Sequence, residues 1–130
     1  APLVATSRAA VFGDVDGDGG VDVLVVNRDG PAHLLRNVAP DRGRFIRFRV
    51  LDENGRDAYG ARVTVTVGSR RFHREVRSAY GYLAAHDPRV HLGLGEAASV
   101  DAVSVVWPDG TEEPFGSWPA DSDVTLRRGN

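Results

Sequence analysis

The sequence has no cysteine. This excludes disulfides, thiolate metal sites and cysteine nucleophiles together. It also has no methionine, and all sixteen basic residues are arginine. An arginine-only basic complement points to a GC-rich genome, and so to a bacterial source. No apolar run approaches the roughly 20 residues that span a bilayer as a helix. The opening APLVATSRAAV lacks the basic-then-apolar layout of a signal peptide. The chain starts at Ala1 rather than at an initiator methionine, which fits either a processed mature form or a piece of a longer protein. Neither charge sign dominates: the formal charge is −2 and the pI near 6.1. There is thus no basic footprint for nucleic acid and no polybasic patch for membrane insertion or attachment.

Helical periodicity is absent too. Apolar residues alternate with period two or occur in short β-branched runs, so the expected fold is all-β. The sequence predicts an antiparallel β-sandwich or barrel-like domain with an N-terminal hairpin packed on it. VDVLVV (21–26) is apolar on both faces and is expected to be a central strand covered on both sides. AHLLRN (32–37) should return against it after the turn at Asp29 and Gly30. FIRFRV (45–50) places Ile46, Phe48 and Val50 on one face, with Arg47 and Arg49 on the other. ARVTVTV (61–67) turns Val63, Val65 and Val67 inward, and Gly68-Ser69 suits a type II′ turn that brings RFHREV back antiparallel. SVVW (104–107) is a strand halted by Pro108, Asp109-Gly110 is a turn, and DVTLRR is the last strand. The stretch AYGYLAAHDPRVHLGLGEAASV reads as loop with one or two short strands. Its Gly93 and Gly95 suit a tight turn or close backbone approach.

At 130 residues the chain fits one modest domain, or one domain with an appended motif. The Pro, Asp and Gly rich segment at 39–44 places a boundary near residue 43. A unit of about 40 residues is marginal alone, so residues 1–43 and 44–130 are expected to form one integrated folding unit.

Four carboxylates, Asp14, Asp16, Asp18 and Asp22, crowd VFGDVDGDGGVDVLVVN (11–27). At about 6 Å in water each pair repels by roughly 0.7 kcal/mol. Counted from Asp14, the carboxylates fall at positions 1, 3, 5 and 9, Gly19 at 6, and Gly20 at 7, where a backbone carbonyl is offered. These are the first nine positions of an EF-hand-type calcium loop, and its all-oxygen donors suit Ca²⁺. Position 12 is Val25 rather than a bidentate Glu, and a strand follows rather than a helix. The expected site is therefore weaker than a sensor, with a dissociation constant on the order of 10⁻⁴ M or tighter. At millimolar calcium such a site contributes roughly 1.5 kcal/mol of stability. The competing reading is a solvated acidic turn in which Asp and Gly serve only the local geometry.

FGDVDGDGGVDVLVVNRDGPAHLLRN (12–37) resembles an FG-GAP/VCBS calcium-loop repeat, the blade unit of integrin-α-like propellers. NGRDAYGARVTV (54–65), REVRSAYGYLAAHDPRVHLGLGEA (74–97) and VSVVWPDG (103–110) resemble the ASPIC/UnbV domain of cartilage acidic proteins and their bacterial relatives. The resemblance implies Ca²⁺ on Asp14, Asp16, Asp18 and Asp22, a secreted or cell-surface location, and no catalytic residues. One repeat does not close a propeller, so the chain is either a C-terminal fragment of a larger propeller protein or a different use of one blade.

HDPRVH (86–91) lacks the further ligands of a transition-metal site, so His86 and His91 read as structural or surface residues, and His33 and His73 as half-exposed strand positions. There is no nucleophile elbow, and GLGEA lacks the strand-then-helix setting of a phosphate loop. Trp107 reads as core, while Trp118, Tyr80 and Tyr82 are open to either core or surface roles. The function these observations favour is a non-enzymatic, calcium-stabilised extracellular β module that contacts protein or glycan and assembles with copies of itself by strand addition through APLVATSRAAV. The alternative is an enzyme or accessory factor of bacterial secondary metabolism, which the UnbV resemblance brings in through genes near enediyne clusters.

Overall fold

The computed structural model describes residues 4–130. Among them every regular element is a strand, and no helix is long and apolar enough to cross a membrane. Two compact units make up the chain: Ala1–Asp41 with Ser78–Asp87, and Arg42–Arg77 with Pro88–Asn130.

The first unit is a three-stranded antiparallel sheet of β1 (Ser7–Gly13), β2 (Asp22–Asn27) and β3 (His33–Leu35), in the order β1-β2-β3. The β2–β3 hairpin lies where its sequence places it, and β2 is the central strand. It is not covered on both sides, however: Leu24 is 38% and Val26 39% exposed. The physical reason lies in the register. Val11, Leu24 and Leu34 stand side by side on one face, and that face is open to solvent at Leu24 and Leu34. Ala1–Leu3, part of the segment expected to add to a neighbouring sheet, lie outside the described residues.

The second unit is a two-sheet sandwich rather than a closed barrel. One sheet runs β10-β4-β7, from β10 (Ser122–Arg127), β4 (Arg44–Leu51) and β7 (Val90–Gly95). The other runs β6-β5-β8-β9, from β6 (Arg70–Glu75), β5 (Arg62–Val67), β8 (Ser99–Val106) and β9 (Glu112–Pro119). All pairings are antiparallel except β4 with β10, which is parallel. Ile46, Phe48, Val50, Leu92, Leu94, Val124 and Leu126 from the first sheet meet Val63, Val65, Val103 and Val105 from the second in one core. Each such side chain stabilises the fold by about 1.5–3 kcal/mol relative to solvent exposure. Trp107 joins them at 3% exposure.

The alternation in β5 is realised fully, and Gly68 turns at φ +56° into the β5–β6 hairpin. In β4 it fails at one residue. Arg47, expected on the solvent side, is 5% exposed because the parallel neighbour sets Asp123 beside it, and the pair is bidentate with Nη2–Oδ2 at 2.7 Å. Gly43 and Gly95, both at positive φ, meet where β4 shifts register against β7. A Cβ on Gly43 would lie 3.0 Å from the Gly95 backbone, so this close approach requires glycine. Pro114 is tolerated in β9 because that strand is at the edge of its sheet. The long Gly and Pro containing stretch resolves into an irregular segment through residue 89, then β7 and the start of β8.

Candidate metal centre

The acidic loop joins β1 to β2, and its conformation is written in carboxylate-to-amide bonds. Asp14 is 6% exposed; its Oδ1 accepts the N–H of Gly17 at 2.8 Å and of Asp18 at 3.1 Å, and its Oδ2 that of Gly19 at 2.9 Å. Such bonds fold the loop tightly around the carboxylate. Gly17 and Gly19 have φ of +77° and +88°, a region costly for residues with a Cβ. Asp16 Oδ1 accepts from the amide of Asp18, and Asp18 Oδ1 accepts from the amide of Gly20, which is buried.

Asp14, Asp16 and Asp18 each offer an oxygen within 4.8 Å of the others. Two ligands of one Ca²⁺, each 2.3–2.6 Å from it, are separated by at most about 5 Å, so these three atoms fit a single ion. The donor set is oxygen alone, as a hard cation requires. Asp22 is placed differently. It is 2% exposed, and its two oxygens accept the amides of Val15 at 3.0 Å and Asn37 at 2.8 Å. It ties the loop's start to the segment that follows β3, and it is not part of the three-carboxylate group. If calcium occupies the loop, Asp14, Asp16 and Asp18 would hold it, with the carbonyl of Gly20 as a further oxygen donor.

Two partners escaped the sequence reading. The Arg36 guanidinium bonds Asp16 Oδ2, and the Asn37 amide bonds Asp22. Both follow from the hairpin register: Val23 opposite Leu35 carries residues 36 and 37 back alongside the loop. The third is His86. Its ring is 5% exposed, stacked 3.8 Å from Tyr80 and 5.9 Å from Phe12 between ring centroids. Its Nδ1 accepts the Phe12 amide at 3.3 Å, which puts the neutral ring's proton on Nε2, a buried atom without a hydrogen-bond partner among the described residues. A Cβ at Gly81 would stand 2.7 Å from that nitrogen, so only glycine fits. His86 is thus a structural histidine. His91 stacks on Phe45.

The interiors of the two units are opposite in kind. Among the described residues every buried hydrophobic side chain belongs to the second unit. In the first, the buried side chains are Asp14, Asp22, Asn27 and His86. The exposed large hydrophobic residues reverse this: Tyr59 alone lies in the second unit, and the rest, Phe12, Leu24, Val26, Leu34 and Leu35 among them, lie in the first.

Residues 51–130 match the family described as ASPIC and UnbV. Cartilage acidic protein 1 of Mus musculus and of Homo sapiens each share 33% identity with the chain over 106 residues, 77% of its length. The Xenopus tropicalis protein of that name shares 32% over 103 residues. The chain spans only 16% of the length of these curated relatives.

Proposed function

The chain belongs to the ASPIC and UnbV family, and we propose that it is a non-enzymatic, calcium-stabilised extracellular β module that works through protein or glycan contacts. The observation that carries this is the inverted first unit, with carboxylates inside and apolar side chains outside. A sheet with apolar residues on both faces and a polar interior lacks the burial that stabilises a fold by itself. Two additions supply what is missing: Ca²⁺ among Asp14, Asp16 and Asp18, in the manner of an FG-GAP/VCBS repeat, and a partner on the sheet. Asp22 and the Gly20 carbonyl complete the loop, Asp22 by bracing it. A secreted relative of bacterial origin, exposed to millimolar calcium, would keep such a weak site filled.

The partner includes copies of the chain itself. β1 is an edge strand with no proline and a single charge, Arg8, and ahead of Phe12, whose amide is bonded to His86, an edge of that kind accepts another strand. Sedimentation velocity over a range of protein concentrations, with CaCl₂ or EGTA, tests this for the wild type and for Leu24→Ser/Val26→Ser. Association that requires calcium and weakens in the double variant is the expected result. A compact monomer at every concentration with calcium present would contradict self-assembly.

A further inference from the structure

The outer face of the β6-β5-β8-β9 sheet is a built polar surface that the calcium reading leaves unused. Register places its side chains in rows: Arg71 beside Thr66, His73 beside Thr64 and Ser104, and Glu75 beside Arg62 and Val106, with Glu112 next. A groove of about 500 Å³ runs over Arg62, Thr64, His73 and Glu112, within the size range of small-ligand sites. A second groove, of about 340 Å³, is lined by Thr64, Thr66, Arg71 and Ser104.

Both walls are held in place. Thr64 Oγ1 and His73 Nδ1 lie 3.1 Å apart in a hydrogen bond, and Ser104 Oγ donates to Glu112 Oε1 at 2.8 Å. Arg62 and Arg71, by contrast, have no carboxylate within ion-pair distance among the described residues. Exposed guanidiniums over a hydroxyl floor offer bidentate donors to a carboxylate or sulfate. Glu112 and Glu75 on the same face accept hydrogen bonds from hydroxyl groups.

We propose that this face binds an acidic glycan, its carboxylate or sulfate groups on Arg62 and Arg71 and its sugar hydroxyls on Glu112 and the Thr64–Ser104 floor. The chemistry favours it over the neighbouring classes. A neutral sugar would leave both arginines unanswered, and among the described residues lining the two grooves there is no Phe, Tyr or Trp ring on which a sugar or a base stacks. A DNA strand has no free sugar hydroxyls along its length for Glu75 and Glu112 to accept from, whereas a glycan does. The proposal rests on the glycan branch of the function stated above and names its ligand. It does not depend on the calcium loop.

The test is calorimetric titration of the full chain with a heparin-derived hexasaccharide, an oligogalacturonate, a dextran oligomer and a single-stranded oligonucleotide of matched charge. Either acidic glycan should bind, and the stronger of the two identifies sulfate or carboxylate as the recognised group. Arg62→Ala/Arg71→Ala should weaken that binding at least tenfold, with an unchanged melting midpoint, since both residues are exposed. Glu112→Gln should weaken it less. No binding of either acidic glycan at millimolar concentration, equal binding of the oligonucleotide, or indifference to the arginine substitutions would overturn the proposal. Melts of the same samples in CaCl₂ and EGTA report on the calcium module independently, so failure here leaves that reading intact.

Discussion

The two units of this chain solve the problem of stability in opposite ways. The sandwich buries a continuous set of Val, Leu, Ile and Phe side chains between two sheets, and its only buried charge, Arg47, is answered by Asp123. The three-stranded unit buries carboxylates and a histidine and presents its apolar residues outward. A hydrophobic interior stabilises without requiring a particular ion. A carboxylate-centred one depends on what neutralises it: amides, Arg36 and, on the reading given above, an ion. The comparison teaches that calcium dependence of stability should be confined to the first unit.

The sharpest way to break that contrast is a large cavity in the sandwich. Phe48→Ala should cost about 3–5 kcal/mol and lower the denaturation midpoint equally in CaCl₂ and EGTA. An effect that calcium rescues would mean the units are not separable in this sense. Next in size is His86→Ala, which removes the ring stacked between Tyr80 and Phe12 and should cost about 2 kcal/mol in the first unit. Hydrogen exchange resolved by residue should show the Phe12 amide losing protection while Val65 keeps its own. Equal loss at both would contradict independent stabilisation.

The smallest effect concerns acid. The Arg128 guanidinium, followed by the Thr111 amide and hydroxyl, holds the Asp109 carboxyl at about 2, below its ordinary 3.8. Because the folded-state value is depressed, the stabilisation from this contact is complete above the ordinary value and is lost as pH falls from there through about 2. Arg47 lowers Asp123 in the same direction. Urea midpoints between pH 5 and 2 should therefore fall less steeply for Asp109→Asn than for the wild type, a modest difference because Asp109 and Arg128 are solvent-screened. Identical slopes would remove Asp109 from the acid response.

The sandwich was the more legible half because period-two alternation reports directly which face a core covers. Val63, Val65 and Val67 on β5, and Ile46, Phe48 and Val50 on β4, lie where alternation puts them. Alternation is silent on strand direction and order, so the parallel β4–β10 pair and the burial of Arg47 were out of reach. In the first unit the same rule misled: VDVLVV reads as a doubly covered strand, yet Leu24 and Val26 face solvent. An apolar side chain records a need for cover, not its presence within the chain. The spacing of Asp14, Asp16 and Asp18 was legible and their convergence followed. Asp22's bonds to Val15 and Asn37, and the place of Arg36, depend on a hairpin register that side-chain pattern does not specify.

The central claim is tested most directly by a thermal melt in titrated CaCl₂ against EGTA, on the wild type, Asp16→Ala and Asp18→Ala. The account predicts a calcium-dependent rise in midpoint, worth roughly 1.5 kcal/mol at millimolar ion, that either substitution abolishes. A midpoint indifferent to calcium in all three proteins would contradict it and make the loop an acidic turn held by its own amides.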